Sequence, residues 1–310
     1  MRRFKSPITE LPDPIQIAID AILDLGTVSA VSLVGSRAND FDRLDADDWD
    51  LEAFTSVGPY PDQQARRAMW ASLPLFNEPR ATVVGGMNDR FAINGLRFGF
   101  GYFPLEEVEK KLNAVVAGRW PGYRYYSPEA FAATMSVAQP LWDPEGVILG
   151  WRQSLEPMPQ FFRHKAIQEI IFEARADLLD LERACELSDV AFFRIALLEM
   201  LQRLFRLASV VHGAWYRGPK RAISRLREIE KIEPSWLEEI ESLMSMGLSE
   251  EPLASTYKRT HALLVFMAET AVAQGDKEAK AVRRGLSYWP DVADLSLPAL
   301  SKWEAENPRP

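Results

Sequence analysis

The chain is short of several residue types, and each shortage removes a class of function. One cysteine, Cys185, stands among 310 residues, so no internal disulfide can form and the expected compartment is the reducing cytoplasm. It lies in a helical run, where a small core residue is the ordinary reading of a thiol. The three histidines, His164, His212 and His261, are scattered with no carboxylate or cysteine at ligand spacing, which removes a zinc centre built on them. Apolar runs fall short of the ~20 residues of a membrane helix, and no apolar stretch of signal-peptide type follows the charged Met1-Arg2-Arg3-Phe4-Lys5. A soluble protein with no membrane partner is expected. Positive charge is scarce too: 36 Lys and Arg against 44 Asp and Glu leave a net charge of −8. Long-range electrostatics therefore disfavour nucleic acid as a partner. Internal repeats and low-complexity segments are missing as well.

What is present is an ordinary globular composition, 47% hydrophobic and 26% charged, in a chain long enough for two domains. Residues 1–150 carry 14 Lys and Arg against 20 Asp and Glu, whereas 151–310 carry 22 against 24. The acidity is concentrated in the first half. That half reads as mixed structure: a proline-started helix over 14–25, a buried strand over 28–34, a strand over 49–55, a helix over 61–70 and a strand over 81–85. A hairpin over 91–102 follows, with Asn94-Gly95 supplying the positive φ angles of a tight turn. Helices are expected from 104 and over 128–138, then a short extended segment over 141–146 that closes the first domain. From 161 onward the pattern changes to long helices, over 161–186, 190–211, 219–231, 235–246 and 253–274. The expected fold is α+β: a mixed-sheet domain over 1–150 followed by an all-helical bundle over 151–310.

The most informative stretch is residues 35–52. A Gly35-Ser36 turn follows an apolar strand, and glycine lets backbone N–H groups and the Ser36 hydroxyl come close to a phosphate. On the next strand, alternation puts Asp48, Asp50 and Glu52 on one face and Trp49, Leu51 and Ala53 on the other. Between Asp40 and Glu52 there are seven acids and one base, Arg43. Carboxylates so crowded repel one another unless solvated or bound to a cation.

Gly35-Ser36 followed by Asp48-Trp49-Asp50-Leu51 resembles the signature of the nucleotidyltransferase superfamily, the polymerase-beta-like fold. The resemblance implies that Asp48 and Asp50 are metal ligands for Mg2+ and that ATP or another nucleoside triphosphate is the co-substrate. It implies that Gly35, Ser36 and Arg37 lie on the phosphate side, and that a nucleoside monophosphate passes to a hydroxyl with loss of pyrophosphate. With a helical C-terminal domain, the chain is similar to the aminoglycoside and lincosamide antibiotic nucleotidyltransferases. In those an aromatic and Gly-x-Lys element follows a helix and faces the nucleotide, matched here by Tyr216 and Lys220 in an exposed bend over 215–220 that also holds Trp215 and Arg217. The acidity around residue 48 favours a small cationic acceptor, such as an aminoglycoside.

One departure is visible. Many members of that superfamily carry a third carboxylate on a later strand, and in this chain the corresponding position on 96–102 reads as Gly99. Glu52 or Asp89 would then substitute, with Glu52 preferred because its parity matches Asp48 and Asp50; otherwise a water or the substrate supplies the base. The same gap leaves open a nucleotide-binding regulatory protein with little turnover, and a protein acceptor is a further alternative. Oligomeric state leaves no mark in the sequence.

Overall fold

Proline and glycine punctuate the start of the chain. In the computed structural model, which describes residues 11–38, 48–56, 61–76, 82–118, 128–245 and 252–274, Pro12 caps helix α1 (Asp13–Asp24), and Gly26 at φ 68° ends it. Ile15, Ala18, Ile19 and Ile22 lie at helical spacing and are all buried. The chain divides into two compact units, Met1–Val116 with Tyr126–Pro157 and Ala117–Tyr125 with Met158–Pro310.

The first unit is built on a six-stranded mixed sheet, as its alternating short apolar runs led one to expect. The strands are β1 (Val28–Val34), β2 (Asp48–Thr55), β3 (Thr82–Val84), β4 (Asn88–Ile93), β5 (Leu96–Pro104) and β6 (Gln139–Trp142), in the order β3-β4-β5-β2-β1-β6. Among the described strands β2 and β5 run parallel, and the other neighbours are antiparallel. Asn94 at φ 52° and Gly95 at φ 79° form the tight turn between β4 and β5. Both angles are left-handed, which Asn and Gly tolerate best. The turn sets the pairing Phe91 to Phe98, Arg90 to Gly99 and Asn88 to Gly101.

Alternation gives the sheet two unlike faces. On one, Leu33, Trp49, Leu51, Phe91, Phe98 and Phe100 form a core with α1 and with Trp70 of α2 (Gln63–Ser72). Phe91 stacks on Phe98 at 4.5 Å, and Trp70 meets Phe91 edge-on at 4.9 Å. Such ring pairs add about 0.5–1.5 kcal/mol each beyond burial. On the opposite face, Phe54 meets Trp151 of α5 (Val147–Leu155) at 4.9 Å, and Phe103 meets Phe131 of α4 (Pro128–Met135) at 5.1 Å. Before α4 comes α3 (Leu105–Val116), opened by Glu106 and Glu107 in its first turn. Among the described residues, helices thus cover one end of this second face. Asp48, Asp50, Arg90 and Arg97 at the other end are exposed.

The extended segment expected over 141–146 overlaps β6, and a helix that the sequence did not suggest follows it. After β6, the Asp143 carboxylate accepts hydrogen bonds from the N–H of Val147 at 2.7 Å and of Leu149 at 3.2 Å. This satisfies donors at the start of α5, which packs on the sheet and carries the unit on to Pro157.

The second unit is helical. α6 (Gln160–Leu187) and α7 (Val190–Val211) are joined by Ser188 at φ 52° and Asp189, whose carboxylate caps α7 by accepting from Phe192 N–H at 3.0 Å. Arg203 of α7 pairs with Glu173 and Asp177 of α6. α9 (Pro234–Ser245) and α10 (Leu253–Ala273) follow. The helix expected over 219–231 shrinks to the five-residue α8 (Ala222–Leu226). Gly218 at φ 90° and Arg221 at φ 57° leave the right-handed helical region, so no continuous helix can start at Pro219.

Candidate functional site

The site grows from the end of β1. Beyond Val34 the chain turns through a short 3-10 segment, Gly35–Ala38, beside the first residues of β2. Gly35 has φ 68°, and a Cβ there would lie 2.3 Å from Asp50 Oδ2. The Asp50 carboxylate thus rests against a residue that must have no side chain. Val34 pairs with Asp50 and Ser32 with Glu52, so the half-buried Ser36 starts the turn beside the acid column. The far end of the turn is held by Gln139 of β6, whose Nε2 donates to Ala38 O at 2.8 Å.

Arg37 is engaged. Its Nε donates to the main-chain carbonyl of Asp48 at 3.1 Å, and its guanidinium lies 4.7 Å above the Trp49 ring. It braces the turn against the start of β2. Asp48 and Asp50 are exposed while Glu52, one step further in, is half-buried. Glu52 Oε2 is sealed from solvent and has no hydrogen-bond partner among the described residues. Burial, and after it the charge of Asp50, pushes the Glu52 carboxyl up to about 8. A carboxylic acid in this setting keeps its proton at neutral pH.

The neighbouring strand continues this face. In the parallel register Asp48 lies beside Arg97, Asp50 beside Gly99 and Glu52 beside Gly101. No carboxylate from β5 joins the acids. A Cβ on Gly99 would lie 2.9 Å from Asp89 O and 3.6 Å from Arg90 Cγ, so β4 leaves little room for a side chain at that position.

Asp89 is removed as a substitute for the missing acid. It has odd parity on β4 and points to the core face, where it is fully buried. Its carboxylate pairs with the buried Arg66 guanidinium and accepts from Trp70 Nε1 and Tyr102 Oη, each at 2.8 Å. Arg66 also donates to the carbonyls of Pro61, Gly85 and Gly86. Burial first, then the Asp89 charge, raises the Tyr102 hydroxyl well above its ordinary value. The cluster is a fully bonded structural plug on the far side of the sheet.

Among the described residues, no group of three or more His, Cys, Asp and Glu side chains is gathered to hold a metal ion by itself. A cation at Asp48 and Asp50 would therefore draw its remaining ligands from water or substrate. Paired hard carboxylates and open positions suit Mg2+, which keeps waters and shares its shell with phosphate oxygens. A chelating softer metal has no thiolate or imidazole here.

The helical unit holds the other two candidates. After α7, Gly213 at φ 73° turns the chain. Tyr216 is 5% exposed, which corrects the expectation of an exposed bend carrying a stacking tyrosine: the ring is part of the unit's packing. Beside it Trp215 packs on Phe162 at 4.9 Å. Lys220 is exposed, next to Pro219. Arg217 contributes its carbonyl to Arg225 Nη1 at 3.0 Å, tying the bend to α8.

Sequence reasoning passed over Arg90 and Arg97. Their signal was the two-residue turn at 94–95, which pairs every β4 position with a β5 position and so places both arginines on the acid-bearing face.

Comparison with protein-family models and with curated proteins finds no match. Among solved structures, the chain is similar to a nucleotidyltransferase-like protein from Exiguobacterium sibiricum, at 15% sequence identity and a TM-score of 0.45, over 87% of this chain and 78% of that one. Among the described residues, no helix is long and apolar enough to cross a membrane.

Proposed function

We propose that the protein is a Mg2+-dependent nucleotidyltransferase that moves a nucleoside monophosphate, AMP from ATP, to a hydroxyl of a small acceptor. The observation that carries this reading is the seating of Asp50 on Gly35: it ties a cation-binding acid pair to a turn suited to phosphate within a single contact. Asp48 and Asp50 would hold the cation, which when bound neutralises phosphate charge as it builds in the transition state. The Ser36 hydroxyl and the N–H groups of the turn would donate to phosphate oxygens. Arg37 keeps the turn in place through Asp48 O and Trp49.

In the reaction the acceptor oxygen forms a bond to the α-phosphorus, the bond to the bridging oxygen breaks, and pyrophosphate leaves. The acceptor's proton passes to Glu52 only where that carboxyl has ionised, a fraction that rises as pH passes about 8, and otherwise to water. General-base help of this kind accelerates by ~10²–10⁴-fold, so turnover should climb toward pH 8. Lys220 and Tyr216 are not needed for these steps; Lys220 is suited to phosphate, whereas the buried Tyr216 is a packing residue.

The test is pyrophosphate release from each nucleoside triphosphate with a panel of hydroxyl acceptors that includes aminoglycosides, repeated with Asp50→Ala. Activity that depends on Mg2+ and falls at least 100-fold in the variant supports the reading, and turnover indifferent to the substitution defeats it. Gly99 favours a second reading, a nucleotide-binding protein with little turnover, because no acid from β5 assists. Calorimetry showing tight Mg–ATP binding without product on any acceptor selects it.

A further inference from the structure

The acid-bearing face has a second charged column that the proposed reaction leaves unused. Across the sheet, Asp50 on β2 is followed by Gly99 on β5 and then by Arg90 on β4, all in register and on one face. The strip between acid and arginine has no side chain: Gly99 is bare, and the nearest atoms to its would-be Cβ are Asp89 O and Arg90 Cγ. Arg90 is exposed, and no hydrogen bond or ion pair to its side chain is found among the described residues. Arg37 and Arg66, by contrast, are committed to Asp48 O and to Asp89.

Two inter-strand steps separate the Asp50 and Arg90 backbones, about 10 Å. An arginine lying across Gly99 spans most of that distance, yet no ion pair of Arg90 is found among the described residues. The guanidinium is thus available, above the sheet, for a phosphate that a cation on Asp48 and Asp50 would also hold. A planar fork of donors is suited to two phosphate oxygens at once.

We propose that Arg90, standing over Gly99, forms a phosphate subsite on the β4 side of Asp50, opposite the Gly35-Ser36 turn. The site thus has an anion-binding group on each side of its acid pair. The phosphate belongs either to the nucleotide or to a phosphorylated acceptor. This rests on the reading above only for the cation at Asp48 and Asp50.

Calorimetric titration of the full chain tests it, using Mg–ATP, Mg–pyrophosphate and inorganic phosphate as probes against wild type, Arg90→Ala, Arg90→Lys and Asp50→Asn. A lost charge-assisted contact weakens binding ~10–100-fold, and lysine is expected to restore part of it. If Arg90→Ala weakens Mg–ATP and Mg–pyrophosphate together, the phosphate is the nucleotide's. If Mg–ATP is unchanged while inorganic phosphate, added over a saturating non-hydrolysable nucleotide, is weakened, it is the acceptor's. Near-UV circular dichroism verifies that each variant is folded, and Arg90→Lys serves if the alanine variant is not. Equal affinities for all three probes in wild type and both Arg90 variants overturn the proposal, as does wild type binding none of them. Mg–ATP binding that survives Asp50→Asn but not Arg90→Ala defeats the metal reading and leaves the subsite standing.

Discussion

At the scale of single residues, the site depends on what is missing as much as on what is present. Gly35 has a left-handed φ and lies where a Cβ would collide with Asp50 Oδ2. Gly35→Ala is therefore expected to destabilise by about 1–2 kcal/mol from backbone strain alone. It should also displace the Asp50 carboxylate, so that Mg–ATP affinity, read by calorimetry, falls more steeply than the melting temperature implies. Glu52 provides a prediction in pH. The folded state keeps its proton up to about 8, against an ordinary value of 4.5. Between those limits the native protein carries a proton that the unfolded chain has released. This contribution to stability is complete below pH 4.5 and is lost as pH rises through 8, at up to ~1.4 kcal/mol per unit. In denaturant melts, Glu52→Gln should gain on wild type across that window and by a constant amount above it. A gap that does not change with pH would mean that Glu52 titrates as an ordinary surface acid. The acid pair and turn were legible in the sequence because strand parity is local. The proton affinity of Glu52 was not, because it comes from burial in the folded sheet and from the Asp50 charge beside it.

At the scale of elements, legibility followed the range of the forces involved. Helices α1, α6, α7 and α10 and strands β1 and β2 were read nearly to their ends, because apolar period and terminal Pro, Gly or Asp are written in contiguous residues. The hairpin was read from Asn94-Gly95. Helix α5 was missed because its cap, Asp143, sits before a proline-glycine turn that resembles a terminus. The segment before α9 was over-read, since Arg221 adopts a left-handed conformation that no local propensity announces. The tie among α2, β4 and β5 was equally invisible: Arg66 and Asp89 are 23 positions apart, and each by itself looks like a surface charge. Removing one partner from a buried pair strands the other. Asp89→Ala should thus cost about 3–5 kcal/mol, read as a shift in the midpoint of chemical unfolding, whereas surface Asp20→Ala should leave it nearly unchanged.

For the molecule as a whole, the two units have separate means of support. The sheet core and the Asp89 plug belong to the first, and the α6–α7 hairpin with its Arg203 pairs belongs to the second. Chains with distinct cores often depart from two-state unfolding, so the Asp89→Ala loss should appear in the calorimetric transition of the sheet unit and spare that of the helical unit. The net charge, −8, and its weighting toward the first half were plain from composition. How that charge is arranged was not: pairing converts an acidic tally into alternating columns of acid, glycine and arginine. The turn at Asn94-Gly95 decides which columns those are. Strand side chains alternate with a period of two, so one residue deleted on the β4 side of that turn, beyond Arg90, would exchange the two faces of the strand. Asp89 would swing out beside Gly99, and Arg90 would be driven under the sheet. The acid this site lacks is already encoded in the chain, one position out of phase.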